Sequence, residues 1–458
     1  MSKVFLLSTN VTTAPYPVYP LGMAVIAGAL VQGGHQVLQY DFLAAGESKE
    51  KLIEAVRNFD PEVICLSLRN IDNVDSFSME SAWYLAQAKE LAEIMRANSD
   101  APIIVGGSAF TVMPEPILDY IGVRYGVVGE GERLICSMVE SLAAGQELPR
   151  LSDGQQRPLL GGEIGSPLYA QELVDFYQEQ SGQINIQTKR GCPYQCIYCT
   201  YPGIEGNRFR PQVAAAVVDD IEKAKRDFGI NNFFFTDSVF NDPQGEYLQF
   251  AEELARRELG IAWTGFFRPQ GMGREELQLL KRSGLYAVEL GTDAGSDTTL
   301  KGLKKGFTFD DVLAVNAACV AEELPAAHYI MFGGPDETYA SVREGMENVK
   351  RIDTSVVFAF SGIRILPGTE LHHRAIADRV IAPESDLLMP AYYYSPQIEA
   401  EPMNAIILDT FKQRREWIFP PTEGQKRLEV MRRFGFRGLL WDTLISFKAR
   451  RRPVKKGV

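Results

Sequence analysis

Short apolar runs alternating with helical stretches begin twice along this chain, and that doubled pattern restricts the fold more than any other sequence feature. Alternation of this kind belongs to parallel sheets with helices on their faces. Over residues 1–150, Val4–Ser8, Gln36–Tyr40, Val63–Leu68, Pro102–Val105 and Tyr125–Val128 read as strands, and Met23–Gln32 and Glu80–Asn98 as helices. The polar, glycine-rich stretch from Leu151 to Pro167 reads as a linker, here carried to residue 183. From Ile184 the alternation restarts, with strands expected at Ile184–Thr188, Asn232–Thr236, Ala262–Phe267, Ala287–Leu290, Ala327–Met331 and Val356–Ile365. These six units predict a partial (β/α)6 TIM-like barrel over 184–385, with chemistry at the C-terminal strand ends. After Asp386 the regularity fades into Tyr392-Tyr393-Tyr394 and a basic tail. The expected fold is therefore α/β: a doubly wound parallel sheet, the barrel, and a small, mostly helical region over 386–458. A chain of 458 residues is long enough for two such cores.

Three of the six cysteines fall within eight residues, in Gly191-Cys192-Pro193-Tyr194-Gln195-Cys196-Ile197-Tyr198-Cys199, directly after an expected strand. That clustering points to a metal site rather than a disulfide framework. Thiolates are the natural ligands of iron–sulfur clusters, which take four. Three on one loop leave one iron of a 4Fe–4S cluster open, as an open position separates a catalytic zinc site from a structural one. A zinc knuckle needs a fourth Cys or His nearby, and His35, His328, His372 and His373 are all distant in sequence.

The formal charge of −12 argues against general nucleic-acid binding, which requires a basic face. The longest apolar run, from Leu21 to near Val31, is well short of the ~20 residues of a membrane span. The apolar segment within Met1–Ser8 is too short for a signal peptide. A cytoplasmic protein with reduced thiols is expected.

The C-x3-C-x2-C spacing, with Tyr198 just before the third cysteine, resembles the motif of the radical S-adenosylmethionine (SAM) superfamily. Further segments extend the resemblance in order along the chain. Phe233-Phe234-Phe235-Thr236-Asp237 is similar to the family's second strand with an acid at its end, and Arg268 follows a third. Gly291-Thr292-Asp293-Ala294-Gly295-Ser296-Asp297, with Leu300 to Gly306, resembles the fourth-strand motif, His328 to Thr338 the fifth, and Leu366-Pro367-Gly368-Thr369 the sixth. The resemblance implies a 4Fe–4S cluster on Cys192, Cys196 and Cys199. Its open iron chelates SAM, whose reductive cleavage gives a 5′-deoxyadenosyl radical. It also assigns Tyr198, Asp237, Arg268, Glu289, Asp293 and Gly333 to SAM. Most relatives have Glu where Asp293 stands, and Glu289 is the fallback. Read as residues alone, Asp237 also fits a helix cap and Gly333-Gly334 a turn. His328 fits a barrel-interior residue without chemistry of its own.

The N-terminal segments Pro20-Leu21-Gly22-Met23, Gly33-Gly34-His35, Val105-Gly106-Gly107-Ser108 and Val128-Gly129-Glu130-Gly131-Glu132 resemble the cobalamin-binding domain of a large radical SAM subfamily. Glycines after strands let a backbone approach a bulky flat ligand, and doubly wound sheets bind ligands at these ends. No G-x-G-x-x-G follows the first strand, which argues against a dinucleotide. Many cobalamin proteins carry D-x-H-x-x-G, whose His ligates cobalt; Asp41-Phe42-Leu43-Ala44-Ala45-Gly46 keeps the frame with Leu43 in place of His. The resemblance thus implies cobalamin without that ligand, touched by Leu21, Gly22, Asp41, Leu43, Gly46, Ser67, Arg69, Gly106, Gly107, Ser108, Gly129, Glu130 and Gly131. Arg69 cannot lose its proton, so it is a poor cobalt ligand; it fits a guard of the lower face, a propionamide contact, or a solvated loop charge. His35, in its Gly-Gly-His turn, is expected at the surface.

The implied activity is methylation of an unactivated carbon, through the 5′-deoxyadenosyl radical and methylcobalamin. The alternatives are a non-methylating oxidation, cyclisation or rearrangement, or a non-enzymatic iron–sulfur or corrin-binding protein. The implied partners are a small-molecule or lipid substrate and an electron donor such as flavodoxin or ferredoxin.

From Lys426 to Val458 eleven Lys and Arg residues face only Glu429 and Asp442, interleaved with residues such as Leu440, Trp441, Leu444, Ile445 and Phe447. Such a segment suits peripheral contact with an anionic membrane; docking on the barrel, followed by a basic end, is the other reading.

Overall fold

The computed structural model describes residues 1–13, 16–77, 83–434, 436, 441–445 and 447. The chain divides into two compact units, residues 1–238 with 363–393, and residues 239–362 with 394–458.

In the first unit, β1 (Lys3–Ser8), β2 (Gln36–Asp41), β3 (Val63–Ser67), β4 (Ile103–Gly106), β5 (Tyr125–Val128) and β6 (Leu151–Asp153) form a parallel sheet in the order β2-β1-β3-β4-β5-β6. Val4, Phe5, Leu6 and Leu7 are all buried, because helices cover both faces of the sheet and leave no solvated side for alternation. The order reverses between β1 and β3, and a crevice at such a switch point is where doubly wound sheets take ligands. Several elements escaped the sequence reading. Lys49–Phe59 is a helix capped by Ser48, whose side chain accepts from the Lys51 N–H at 3.2 Å. β6 lies in the polar stretch read as linker, and Gln171–Gln180, also in 151–183, is a helix. Gly154, just after β6, approaches the Glu130 carbonyl so closely that a Cβ would stand 1.9 Å from its oxygen. His35 is not at the surface. It is buried, and its Nδ1 accepts from the Ser2 N–H at 3.3 Å.

The same unit continues through β7 (Ile184–Ile186), the short antiparallel pair β8 (Lys189–Arg190) and β9 (Arg210–Pro211), and β10 (Asn232–Phe235), which runs parallel to β7. The second unit holds β11 (Ala262–Phe267), β12 (Leu285–Asp293), β13 (Ala326–Phe332) and β14 (Val356–Ser361). The chain then returns to the first unit with the antiparallel pair β15 (Ile363–Arg364) and β16 (Tyr392–Tyr393). β17 (Trp417–Ile418) pairs with β14 and ends the second unit's strand order, β17-β14-β13-β12-β11. The expected run Val356–Ile365 breaks at Gly362, which sits at φ 74° with its missing Cβ 2.6 Å from Tyr394 Cζ. β17 was not foreseen, because two residues carry no periodicity.

Helices Ala400–Phe411, Pro421–Arg433 and Trp441–Leu444 make the C-terminal region mostly helical. Ile445 is buried in a cluster with Ala327, Val356 and Ile418, and Leu444 and Phe447 pack against it beside Tyr329 and Phe358. The described part of the tail is thus docked on strands β13 and β14. Leu440 and residues 448–458, on which the membrane reading also drew, lie outside the described residues. Among the described residues no helix is long and apolar enough to cross a membrane.

Candidate active site

The cysteine loop leaves β8 through Gly191, at φ 82°, where a Cβ would stand 2.0 Å from the Arg208 carbonyl oxygen, so only glycine fits. The loop backbone is held from several sides. Gly191 N–H donates to Glu205 Oε2 at 3.0 Å, Cys192 N–H to the Gly206 carbonyl at 3.0 Å, and Leu371 N–H to the Ile197 carbonyl at 2.8 Å. Ser238 Oγ donates to the Gly191 carbonyl at 2.9 Å. Cys192 is buried, Cys196, Tyr198 and Cys199 are half-buried, and none of the six cysteines is in a disulfide. Among the described residues no three His, Cys, Asp or Glu side chains gather around a single-ion site. A four-iron cluster asks for something else, one thiolate per iron, and three thiols on one pinned loop are a donor set that fits it.

Asp237, assigned to SAM by resemblance, is spent on this loop. It is fully buried, its Oδ1 accepts from the Thr188 N–H at 2.7 Å and the Lys189 N–H at 3.2 Å, and its Oδ2 bonds to the Thr188 hydroxyl. Burial pushes its carboxyl up, against the opposing pull of Lys189 and Thr188. The residue braces the turn into the cysteines.

Glu130, assigned to cobalamin, is likewise engaged. Its Oε1 meets Arg190 Nη1 at 3.1 Å and Arg210 Nη2 at 2.7 Å, and its Oε2 accepts from Arg210 Nη1 at 3.1 Å and the Leu159 N–H at 2.7 Å. Arg190 also pairs with Glu132. All four side chains are nearly excluded from solvent. Burial pushes the Glu130 carboxyl up, but Arg210 and Arg190 outweigh it and hold it below the usual carboxylate range. This network fastens the end of β5 to the strands flanking the cysteine loop. Arg190 and Arg210 were missed in the sequence, where neither belongs to a motif.

Around the β1/β3 switch point several polar atoms lack partners among the described residues. Asn10 Nδ2 and Thr12 Oγ1 are buried without a hydrogen bond, and so is Nε of the half-buried Arg69. Burial lowers the Arg69 pKa, opposed by the phenols of Tyr177, Tyr16, Tyr84 and Tyr201; among the described residues no carboxylate pairs with it. Its carbonyl accepts from Ser108 Oγ at 2.9 Å. Gly107, at φ 108°, lies against Leu68, whose oxygen would be 2.3 Å from a Cβ. Ser67 and Gly106 end β3 and β4, Gly129 N–H donates to Thr111 Oγ1 at 2.9 Å, and Gly131 precedes the helix Glu132–Ala143. Leu21 and Gly22 open the helix Leu21–Gln32. Asp41 is buried, accepting from the Ala44 N–H at 2.8 Å and the Tyr177 hydroxyl at 3.2 Å, and burial pushes its carboxyl up. It shapes the turn through Gly46, and Leu43 is buried within that turn. Orphaned donors and a glycine shoulder at these strand ends suit a large ligand rich in amide groups, as the corrin is.

The remaining residues assigned to SAM lie in the second unit. Arg268 donates to Gln270 Oε1 at 3.1 Å and to the Lys305 carbonyl, and its guanidinium lies 4.9 Å from the Phe307 ring centroid. Asp293 pairs with Lys305, a residue the motif contained but the reading passed over. Glu289 is buried and accepts from the Tyr329 hydroxyl at 2.8 Å. Gly333, at φ 97°, and Gly334 donate their N–H groups to Glu337, which is fully buried with its carboxyl pushed up to about 7 by burial. His328 is fully buried and held neutral, burial lowering its pKa to about 3. Its Nε2 lies 3.0 Å from Asn316 Oδ1, which also accepts from Ser355 Oγ, so Nε2 donates and Nδ1 accepts from the Thr292 hydroxyl at 2.8 Å.

Residues 7–138 match the model of the B12 binding domain, and residues 186–349 that of the radical SAM superfamily. An uncharacterized methyltransferase of Pyrococcus horikoshii is 25% identical over 392 residues, covering 81% of this chain and 80% of its own. The tryptophan 2-C-methyltransferase of Streptomyces laurentii is 24% identical over 430 residues, covering 77% and 71%. In fold, the chain is similar to a radical SAM methyltransferase, TsrM, of Kitasatospora setae, solved with cobalamin and a 4Fe–4S cluster bound. The TM-score is 0.84 at 22% identity, over 98% of each chain.

Proposed function

This chain is a member of the cobalamin-binding radical SAM family, and on that premise we propose that it methylates an unactivated carbon of a small molecule. When bound, the cluster with SAM supplies a 5′-deoxyadenosyl radical and the corrin supplies the methyl group; that hard chemistry belongs to the cofactors, while the protein orients and shields them. Cys192, Cys196 and Cys199 are proposed as the cluster ligands, with an electron donor of the flavodoxin or ferredoxin type reducing it. Residues 1–150 would form the corrin-binding domain, 184–385 the radical domain, and 151–183 their connection.

The observation that carries this reading is the tie between the end of β5 and the cysteine loop. Glu130 grips Arg190 and Arg210 on either side of that loop, which ties the C-terminal edge of the corrin-type sheet to the loop that carries the three thiols. Gly191 sets the loop's exit, and Asp237 fixes the turn before it. Leu43 offers no lone pair where other cobalamin proteins place a ligating His. Arg69, which no acid pairs among the described residues, would keep the lower side of the corrin free of a coordinating atom. In the second unit, Asp293 remains proposed for the SAM ribose or ammonium, with its charge balanced by Lys305, and the neutral His328 orients the neighbouring Thr292. Leu444, Ile445 and Phe447 are used against the barrel strands, so no lipid surface is invoked.

The test is anaerobic incubation of the cofactor-loaded protein with SAM and a reductant, with small-molecule extracts of cells that have or lack the gene compared by mass. Formation of 5′-deoxyadenosine and a product heavier by one CH2 unit are expected. Cleavage of SAM with no such product would favour the non-methylating alternative, and no cleavage at all would remove the enzymatic reading.

A further inference from the structure

Arg69 is held from both sides, and one side involves a residue far along the chain. On one side its carbonyl is bonded to Ser108, and Leu68 is wedged against Gly107. On the other, three residues later, Asp72 Oδ2 meets Arg364 Nε at 2.8 Å, with both side chains 3% exposed. Arg364 has no freedom left. Its Nη1 donates to the Ile365 carbonyl at 2.6 Å and its Nη2 to the Leu387 carbonyl at 2.9 Å. Asp72 is equally committed, its Oδ1 accepting from the Val74 N–H at 2.8 Å, and it bridges to Trp83. Trp83 Nε1 in turn donates to the Leu388 carbonyl at 2.8 Å, and Tyr84 N–H to the Ile71 carbonyl at 2.8 Å. The loop after β3 is therefore clasped to the segments 363–365 and 387–388, all within the first unit.

We infer that the buried Asp72–Arg364 pair is a positioning latch that aims Arg69 at the lower face of the bound corrin and so sets the coordination of its cobalt. The inference rests on the function proposed above. A flexible arginine that no acid holds among the described residues depends on its backbone for its position. One end of that fixation is a charged pair between β15 and the β3 loop, which aspartate and arginine can make and an amide cannot replace in strength. With the latch open, the guanidinium moves off and water reaches cobalt.

The experiment loads full-length protein with hydroxocobalamin, reduces it to cob(II)alamin and records its paramagnetic resonance and visible spectra. Wild type, Asp72→Asn and Arg364→Lys are compared, with thermal unfolding and cluster absorbance measured alongside. The wild-type spectrum should lack an axial ligand; both variants should gain the signature of axial water while their cluster absorbance stays unchanged. Arg69→Ala should show the same change with the pair intact. A folded, cobalamin-loaded Asp72→Asn with the wild-type spectrum overturns the latch, and if that variant does not fold, the same result in Arg364→Lys does so. Wild-type protein that fails to take up cobalamin overturns the functional reading itself, a distinct result.

Discussion

Replacing Glu130 by Gln removes the one acid shared by two buried guanidinium groups. The Gln carbonyl can still accept a hydrogen bond, so the loss is chiefly of charge. Arg190 keeps Glu132 as a partner, but among the described residues Arg210 retains only the carbonyls of Leu159 and Glu205. Breaking a buried pair from one side costs about 3–5 kcal/mol, because the remaining charge stays out of water. With Arg190 still partnered, the lower end of that range applies to Glu130→Gln, and Glu130→Ala reaches the upper end. The measurement is urea unfolding followed by tryptophan fluorescence, with iron retention monitored in parallel. The control is Glu163→Gln, which breaks a more exposed pair with Arg133 and should leave the midpoint nearly unchanged. Because the Glu130 carboxyl is held below its usual range, its contribution is present above the unfolded-state pKa and fades as acid protonates the folded form. If Glu130→Gln unfolds at the same urea concentration as the Glu163→Gln control and keeps its iron equally well, the bracing role assigned to this network is wrong.

Cys196→Ala should lose the cluster's visible absorbance and all SAM cleavage; a variant that retains iron and cleaves SAM would remove Cys196 from the ligand set. Glu337, raised to about 7 in the fold from 4.5, binds its proton more tightly folded than unfolded. Stability should therefore fall by about 3 kcal/mol as pH rises through the window between those values. Glu337→Gln should flatten that slope in a series of pH-dependent melts, and an unchanged slope would contradict it. Ile445→Ala should cost about 2 kcal/mol, the low end for a large apolar side chain near a chain end. No shift in melting would mean that the tail is not docked as described.

The strands of both sheets were readable because their apolar runs are long enough to carry a pattern: Val4–Leu7 and Ala326–Phe332 have few competing interpretations. β6 and β17, two or three residues long in polar or aromatic surroundings, have no period to detect. The helix Lys49–Phe59 buries only Leu52 and Val56, too thin a stripe to stand out beside its charges. At the site, residue type and spacing singled out the cysteines as candidate ligands, since three thiols on one loop have few other uses. Spacing cannot say which of several chemically able partners a carboxylate will meet. Asp237 went to the backbone of residues 188–189 and Glu130 to two arginines that are distant in sequence. Lys305 was overlooked for the same reason, because its meaning depends on Asp293 twelve residues earlier. His328 kept the plain role that its apolar neighbours suggested.

The first unit is interrupted in sequence: it begins at Met1, leaves at residue 238 and resumes only at 363. This has a consequence for biosynthesis. Asp72 and Arg364 are separated by 292 positions, and closing so long an open loop costs about 5 kcal/mol in chain entropy beyond a constant. At about 5–20 residues per second, Arg364 leaves the ribosome on the order of 15–60 seconds after Asp72. The corrin-type sheet can pair its strands early, since they are close in sequence. The loop carrying Arg69 has to wait for most of the chain to be made, so a nascent sheet would meet cobalamin with its lower side still open, and closure of that side would be among the last steps of maturation.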